Sequence, residues 1–163
     1  EGAISHEDSL GNKGRTVAGD VQVMSAGSGI RHAEYNHENL PTRIFQIWIV
    51  PTTRGGPPSW GTRPFPQEGR TGRLVTLASG DKADTDALPI RTDARVLGAR
   101  LKAGERVQYR LRPGRHAYLV PATGALTVND VPIEQRDGAA IRDEAVLRIV
   151  ARDDTELVLV DSA

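Results

Sequence analysis

Apolar positions along this 163-residue chain recur with period two, and turn-forming residues interrupt them often. Val107, Tyr109 and Leu111 alternate with Arg106, Gln108, Arg110 and Arg112, the pattern of a half-buried strand with one charged face. Further short strands are predicted at Val21–Met24, Val96–Leu101, Ala117–Val120, Ala125–Val128, Val146–Val150 and Leu157–Val160. Ile44–Val50 is apolar on both faces, which predicts a strand buried on both sides. Gly11-Asn12, Pro113-Gly114, Asn129-Asp130 and Asp137-Gly138 supply turns between these runs. No segment carries the periodicity of a long helix. Short strands at this spacing predict an all-β fold of the sandwich or jelly-roll type.

The alternation lapses between Pro51 and Gly72, where five prolines and five glycines fall within 22 residues. Residues 51–72 therefore read as a linker between one β unit at 1–50 and a second at 73–163. At 17.6 kDa the chain can form one domain of ordinary size or two small β units. The first unit is short for a complete jelly roll, so it would leave sheet edges and apolar barrel interior uncovered.

Composition removes several function classes. Charge is balanced at 21 basic and 21 acidic residues, which gives no general affinity for polyanions. Of the basic residues only Lys13, Lys82 and Lys102 are lysines. Residues 91–115 carry Arg91, Arg95, Arg100, Lys102, Arg106, Arg110, Arg112 and Arg115 against Asp93 and Glu105. Tyr109 is the single aromatic among them and the alternation turns it inward, so no stacking platform for single-strand nucleic acid forms and they read as a solvated strand face. Direct nucleic-acid binding is not expected. The absence of cysteine excludes disulfides, Cys-ligated zinc and thiol catalysis. No apolar run reaches membrane-spanning length, and a cytoplasmic protein without a membrane partner is expected. Gly27-Ser28-Gly29 leads into a predicted strand, not a phosphate-binding helix, and lacks the spacing of a hydrolase nucleophile elbow.

The candidate chemistry lies just after those glycines, in His32-Ala33-Glu34. Residues i and i+2 of a strand project to one face, so His32 and Glu34 would stand side by side. An imidazole beside a carboxylate suits a divalent metal such as Fe, Mn, Ni or Zn. Gly27 and Gly29 let the backbone turn sharply before the pair. His6 reads as an exposed strand residue, His37 as a loop residue and His116 as a structural residue opening a strand; none of these is counted as a ligand.

The surrounding string is more specific than the pair. Gly19-Asp20-Val21-Gln22-Val23-Met24-Ser25-Ala26-Gly27-Ser28-Gly29-Ile30-Arg31-His32-Ala33-Glu34 resembles the second cupin motif, in the form it takes in the pirin family, G-D-V-Q-x-M-(S/T)-A-G-x-G-I-x-H-(S/A)-E. His6–Asn12 resembles that family's H-x-D-S-x-G-N segment, and Phe45–Pro51 its Q-x-W strand ending in Pro. The resemblance implies a bicupin: two double-stranded β-helix (jelly-roll) barrels, here with an incomplete N-terminal barrel and a C-terminal barrel without a metal set.

Proteins of this family hold a metal with three His and one Glu, two of the His coming from an H-P-H-R segment. This chain has no His-x-His, its only methionine is Met24, and Glu1-Gly2 resembles the closing end of that first motif. The expectation is therefore of a sequence that begins after those two ligands, with His32 and Glu34 as the remaining metal ligands. The resemblance implies quercetin 2,3-dioxygenase chemistry, the oxidative opening of a flavonol ring by O2 with Fe(II) as the divalent metal. Occupancy would be weak unless the missing N-terminal segment is supplied, for instance by another chain in a split or nicked barrel. Glu34 would also serve as the catalytic base that takes the flavonol hydroxyl proton, with His32 as ligand only. The alternative is a non-catalytic iron-binding regulatory module, like the transcriptional co-regulators of the eukaryotic branch, acting through protein partners.

Overall fold

A computed structural model describes residues 1–65 and 67–163. The chain forms two compact units, Glu1–Pro66 with Leu88–Thr92 and Gln67–Ala87 with Asp93–Ala163. The first begins with β1 (Ala3–Asp8), β2 (Lys13–Val17), β3 (Val21–Ser25), β4 (His32–Tyr35) and β5 (Ser59–Arg63). A short 3-10 turn (Gln67–Arg70) and β6 (Val75–Ser79) belong to the second unit, and β7 (Leu88–Pro89) returns to the first.

In the first unit β1 is the centre of an antiparallel sheet ordered β2-β1-β4, and β3 pairs with β5 in a two-stranded ribbon that β7 touches. The β1–β2 connection is closed by Asp8, whose Oδ1 accepts the backbone N–H groups of Leu10 and Asn12 at 2.9 and 3.0 Å. An Asp that caps a turn in this way fixes the exit of β1 and with it the register of the hairpin. Gly27 has φ +56°, and a Cβ there would lie 2.5 Å from the carbonyl oxygen of Gly56. That close approach carries the hydrogen bond from Ser28 N–H to Gly56 O at 2.8 Å.

Two expectations need correction in this unit. Strand β5 lies inside the segment read as a linker, where flanking Pro and Gly hide a five-residue strand from any test of periodicity. Its hydrogen bonds come from β3, about forty residues earlier, in a register that sets Met24 opposite Trp60. Ile44–Val50 is not a buried strand. The segment has no regular structure, and Ile44, Phe45, Ile47, Trp48 and Val50 are all exposed, Trp48 to 87 %. An apolar strand needs a hydrogen-bonding neighbour and cover on both faces, and in this segment only Ile49 is even partly covered.

The second unit continues with β8 (Ala94–Leu101), β9 (Arg106–Arg110), β10 (His116–Thr123), β11 (Leu126–Val128), β12 (Val131–Ile133), β13 (Ala139–Ile141), β14 (Val146–Ala151) and β15 (Thr155–Ser162). One antiparallel sheet runs β13-β10-β15-β8-β6 and the other β12-β11-β14-β9. The predicted alternation is realised in β15, where Thr155, Leu157, Leu159 and Asp161 point inward between partly exposed neighbours. Leu119, Leu126, Leu147, Ile149, Leu157 and Leu159 are fully buried in one apolar cluster. Each such side chain contributes about 1.5–3 kcal/mol relative to exposure. The β11–β12 hairpin turns at Asn129 and Asp130, both at positive φ, as a two-residue I′ turn requires.

The basic face is only partly solvated. Arg115 is buried, donating from Nε to Asp161 and from Nη1 to Asp93 at 2.8 Å, while Tyr109 donates to the other Asp161 oxygen at 2.6 Å. Burial and this bond both push the Tyr109 phenol well above its ordinary value. Arg95 is held by Asp84 and Asp81 at 2.6 and 2.8 Å.

Candidate metal centre

Strand β4 presents His32 and Glu34 on one face, with His32 Nδ1 3.6 Å from Glu34 Oε1. The β1–β4 register then adds what sequence spacing could not. Antiparallel pairing sets His6 opposite Glu34 and Asp8 opposite His32, so a His-x-Asp on β1 faces the His-x-Glu on β4. His6, Glu34 and His32 bring one donor atom each to within 4.8 Å of one another.

The reading of His6 as an exposed strand residue is thus corrected: it is 1 % exposed. Its Nδ1 shares a hydrogen bond of 2.7 Å with Glu34 Oε1, and its Nε2 lies 3.1 Å from Asp8 Oδ2. The ring stacks on Trp60, with centroids 4.8 Å apart and planes 8° from parallel, and on its other neighbour His32 at 5.6 Å. Room for Trp60 comes from Gly14, which pairs with His6 in the β1–β2 register and lies against the indole ring. Burial alone would lower the His6 pKa, but the carboxylates of Glu34 and Asp8 overcome it and raise the group above 6.5.

Glu34 is held unevenly. Oε1 accepts from Gln22 Nε2 at 2.9 Å as well as meeting His6, while Oε2 is buried with no hydrogen-bond partner. A buried carboxylate oxygen without a partner is costly, and a cation is the natural group to meet it. The imidazole of His32 and the carboxylate of Glu34 are donors of the kind that suit a divalent first-row metal. The side chains of His32 and Glu34 are 29 % and 23 % exposed, so the pair is partly accessible although Oε2 itself is buried. His37 stacks on Tyr35 away from this cluster, and His116 is exposed at the start of β10.

Sequence reasoning missed His6, Asp8, Gln22 and Trp60. The signal for the first two was present as a second i, i+2 pair, His6 and Asp8, but only the strand register makes the two pairs face each other. Gln22 and Trp60 lie on paired strands whose contact no local pattern announces.

A family model described as Pirin matches residues 1–49, and one described as the quercetinase C-terminal cupin domain matches residues 76–162. A pirin-like protein of Caulobacter vibrioides is 68 % identical over 163 residues, covering 100 % of this chain and 70 % of that protein. The chain belongs to the pirin family. A quercetin 2,3-dioxygenase of Escherichia coli is 35 % identical over 162 residues, covering 99 % of this pirin and 68 % of the relative. The crystal structure of YhhW from Escherichia coli superposes with a TM-score of 0.91 at 33 % identity, over 100 % of this chain and 68 % of that one. YhhW has also been solved as a bacterial pirin in complex with nickel(II), with a TM-score of 0.88 at 32 % identity over 99 % and 69 % of the two chains. The all-β architecture of this pirin is accordingly a cupin fold. Among the described residues no helix is long and apolar enough to cross a membrane.

Proposed function

We propose that this pirin supports quercetin 2,3-dioxygenase chemistry, the O2-dependent opening of a flavonol ring, with Fe(II) as its metal. The observation that carries the reading is the pairing of His32 with Glu34, whose Oε2 is buried without a hydrogen-bond partner. His32 and Glu34 would hold the metal, which when bound supplies Lewis-acid activation of the flavonol oxygen and a place for O2 beside it. Glu34 would also serve as the carboxylate that takes the proton of the flavonol hydroxyl. His32 acts as a ligand only. The relative named as a quercetin 2,3-dioxygenase supports the substrate class.

The regulatory alternative has one observation in its favour: Leu40, Trp48 and Val50 are more than 70 % exposed, the kind of surface that protein partners cover. One experiment separates the two. Protein loaded with Fe(II) is incubated with quercetin in air, and the flavonol absorbance and bound iron are followed. Steady metal-dependent loss, abolished together with bound iron in His32→Ala, is the expected result. Turnover that persists in His32→Ala removes this mechanism, and a flavonol that binds but is not consumed favours the regulatory role.

A further inference from the structure

The three-residue donor cluster can be read as three ligands, but the hydrogen bonds around His6 argue otherwise. Each of its ring nitrogens lies on a carboxylate oxygen, Nδ1 on Glu34 Oε1 at 2.7 Å and Nε2 on Asp8 Oδ2 at 3.1 Å. An imidazole whose two nitrogens each face a carboxylate turns neither of them toward a cation. Asp8 is itself immobilised, since Asn12 Nδ2 donates to Oδ2 at 2.9 Å and two backbone N–H groups donate to Oδ1. The stack on Trp60 fixes the ring plane.

Gln22 completes the arrangement. Thr16 Oγ1 donates to Gln22 Oε1 at 3.2 Å, which leaves the amide nitrogen of Gln22 to donate to Glu34 Oε1 at 2.9 Å. Two donors from two different strands therefore converge on one oxygen of Glu34, and neither touches the other oxygen. Fixing one carboxylate oxygen in this way sets the rotamer and the direction in which the second is presented.

We propose that His6 is a positioning residue and not a ligand: with Asp8 and Gln22 it clamps Oε1 of Glu34 so that Oε2 is the atom offered to the divalent cation. The proposal rests on the reading of Glu34 as a metal ligand, and its test does not depend on flavonol turnover.

The discriminating variant is His6→Asn, because an Asn amide nitrogen can occupy the place of Nδ1 and still donate to Glu34 but is a poor substitute for an imidazole ligand. Ni2+ affinity is measured by calorimetry and the visible spectrum of the Co2+-loaded protein is recorded. Both are done for the wild type, His6→Asn, His6→Leu, Gln22→Leu and His32→Asn, with circular dichroism confirming each fold. The expected result is that His6→Asn stays within about threefold of wild type while His6→Leu and Gln22→Leu weaken Ni2+ about 10–100-fold, the usual effect of losing a group that orients a ligand. The Co2+ bands should keep their positions in all three and move only in His32→Asn. If His6→Asn weakens Ni2+ as much as His32→Asn and shifts the Co2+ bands alike, His6 is a ligand and the proposal fails. Wild-type affinity in both Leu variants also overturns it, and should His6→Leu not fold, Gln22→Leu and His6→Asn decide. A wild type that binds neither ion removes the metal reading as well. One that binds both but leaves quercetin intact removes only the dioxygenase.

Discussion

Gly14 is where a single methyl group should cost this protein most for its size. A Cβ built on Gly14 lies 2.8 Å from Cζ2 of Trp60 and closer still to Cη2. Carbon atoms in contact prefer about 3.5–4.0 Å, so Gly14→Ala must push the indole away by roughly 1 Å. The backbone of β2 cannot yield instead, because it is hydrogen-bonded to β1 along five residue pairs. Overpacking of this kind costs about 1–3 kcal/mol, and retreat of the ring also weakens a stack on His6 worth ~0.5–1.5 kcal/mol. The expected destabilisation is therefore about 1.5–4.5 kcal/mol by urea unfolding followed by circular dichroism. Gly69→Ala is the control, since a Cβ there meets nothing within 4 Å, and it should change stability by less than about 0.5 kcal/mol. The smaller ring of Trp60→Phe should restore most of the loss in the double variant. A Gly14→Ala protein as stable as wild type, or a double variant no better than the single, would refute the argument that Gly14 exists to admit Trp60.

Two further outcomes follow from other buried charges. Asp161→Ala removes the partner of Arg115 Nε and of the Tyr109 hydroxyl inside the second unit, where both carboxylate and guanidinium are nearly inaccessible. Breaking such a pair on one side costs about 3–5 kcal/mol, measured as a fall in the unfolding free energy of the variant, and Asp93 alone should not rescue it. In the first unit, burial would raise the Asp8 carboxyl, but hydrogen bonds from Asn12, His6 and the Leu10 backbone lower it from 3.8 to about 2. A carboxyl held below its unfolded value stabilises the fold fully above pH 3.8 and loses that contribution as the pH falls toward 2. Asp8→Asn should therefore flatten the acid limb of the stability curve between those values, read from thermal midpoints across that range.

The sequence by itself determined the strands that alternate and the pair that shares a strand. Leu157 and Leu159 face inward because period two leaves them no other choice, and His32 and Glu34 share a face for the same reason. These are properties of neighbouring residues, so local patterning reveals them. Trp60 and β5 were hidden in a segment rich in Pro and Gly, because a strand of five residues is defined by its partner and not by its own composition. Ile44–Val50 shows the converse: an apolar run favours burial only where something covers it, and hydrophobicity alone does not supply the cover. The clearest contrast is His6. Its place opposite Glu34 follows from the length of the connections between β1 and β4 and from the register they impose, and a shift of one residue would send it to the other face of the sheet. What only the tertiary structure decided is which pairs of strands meet and in what register, because those contacts join residues as far apart as Met24 and Trp60, beyond the reach of any local pattern.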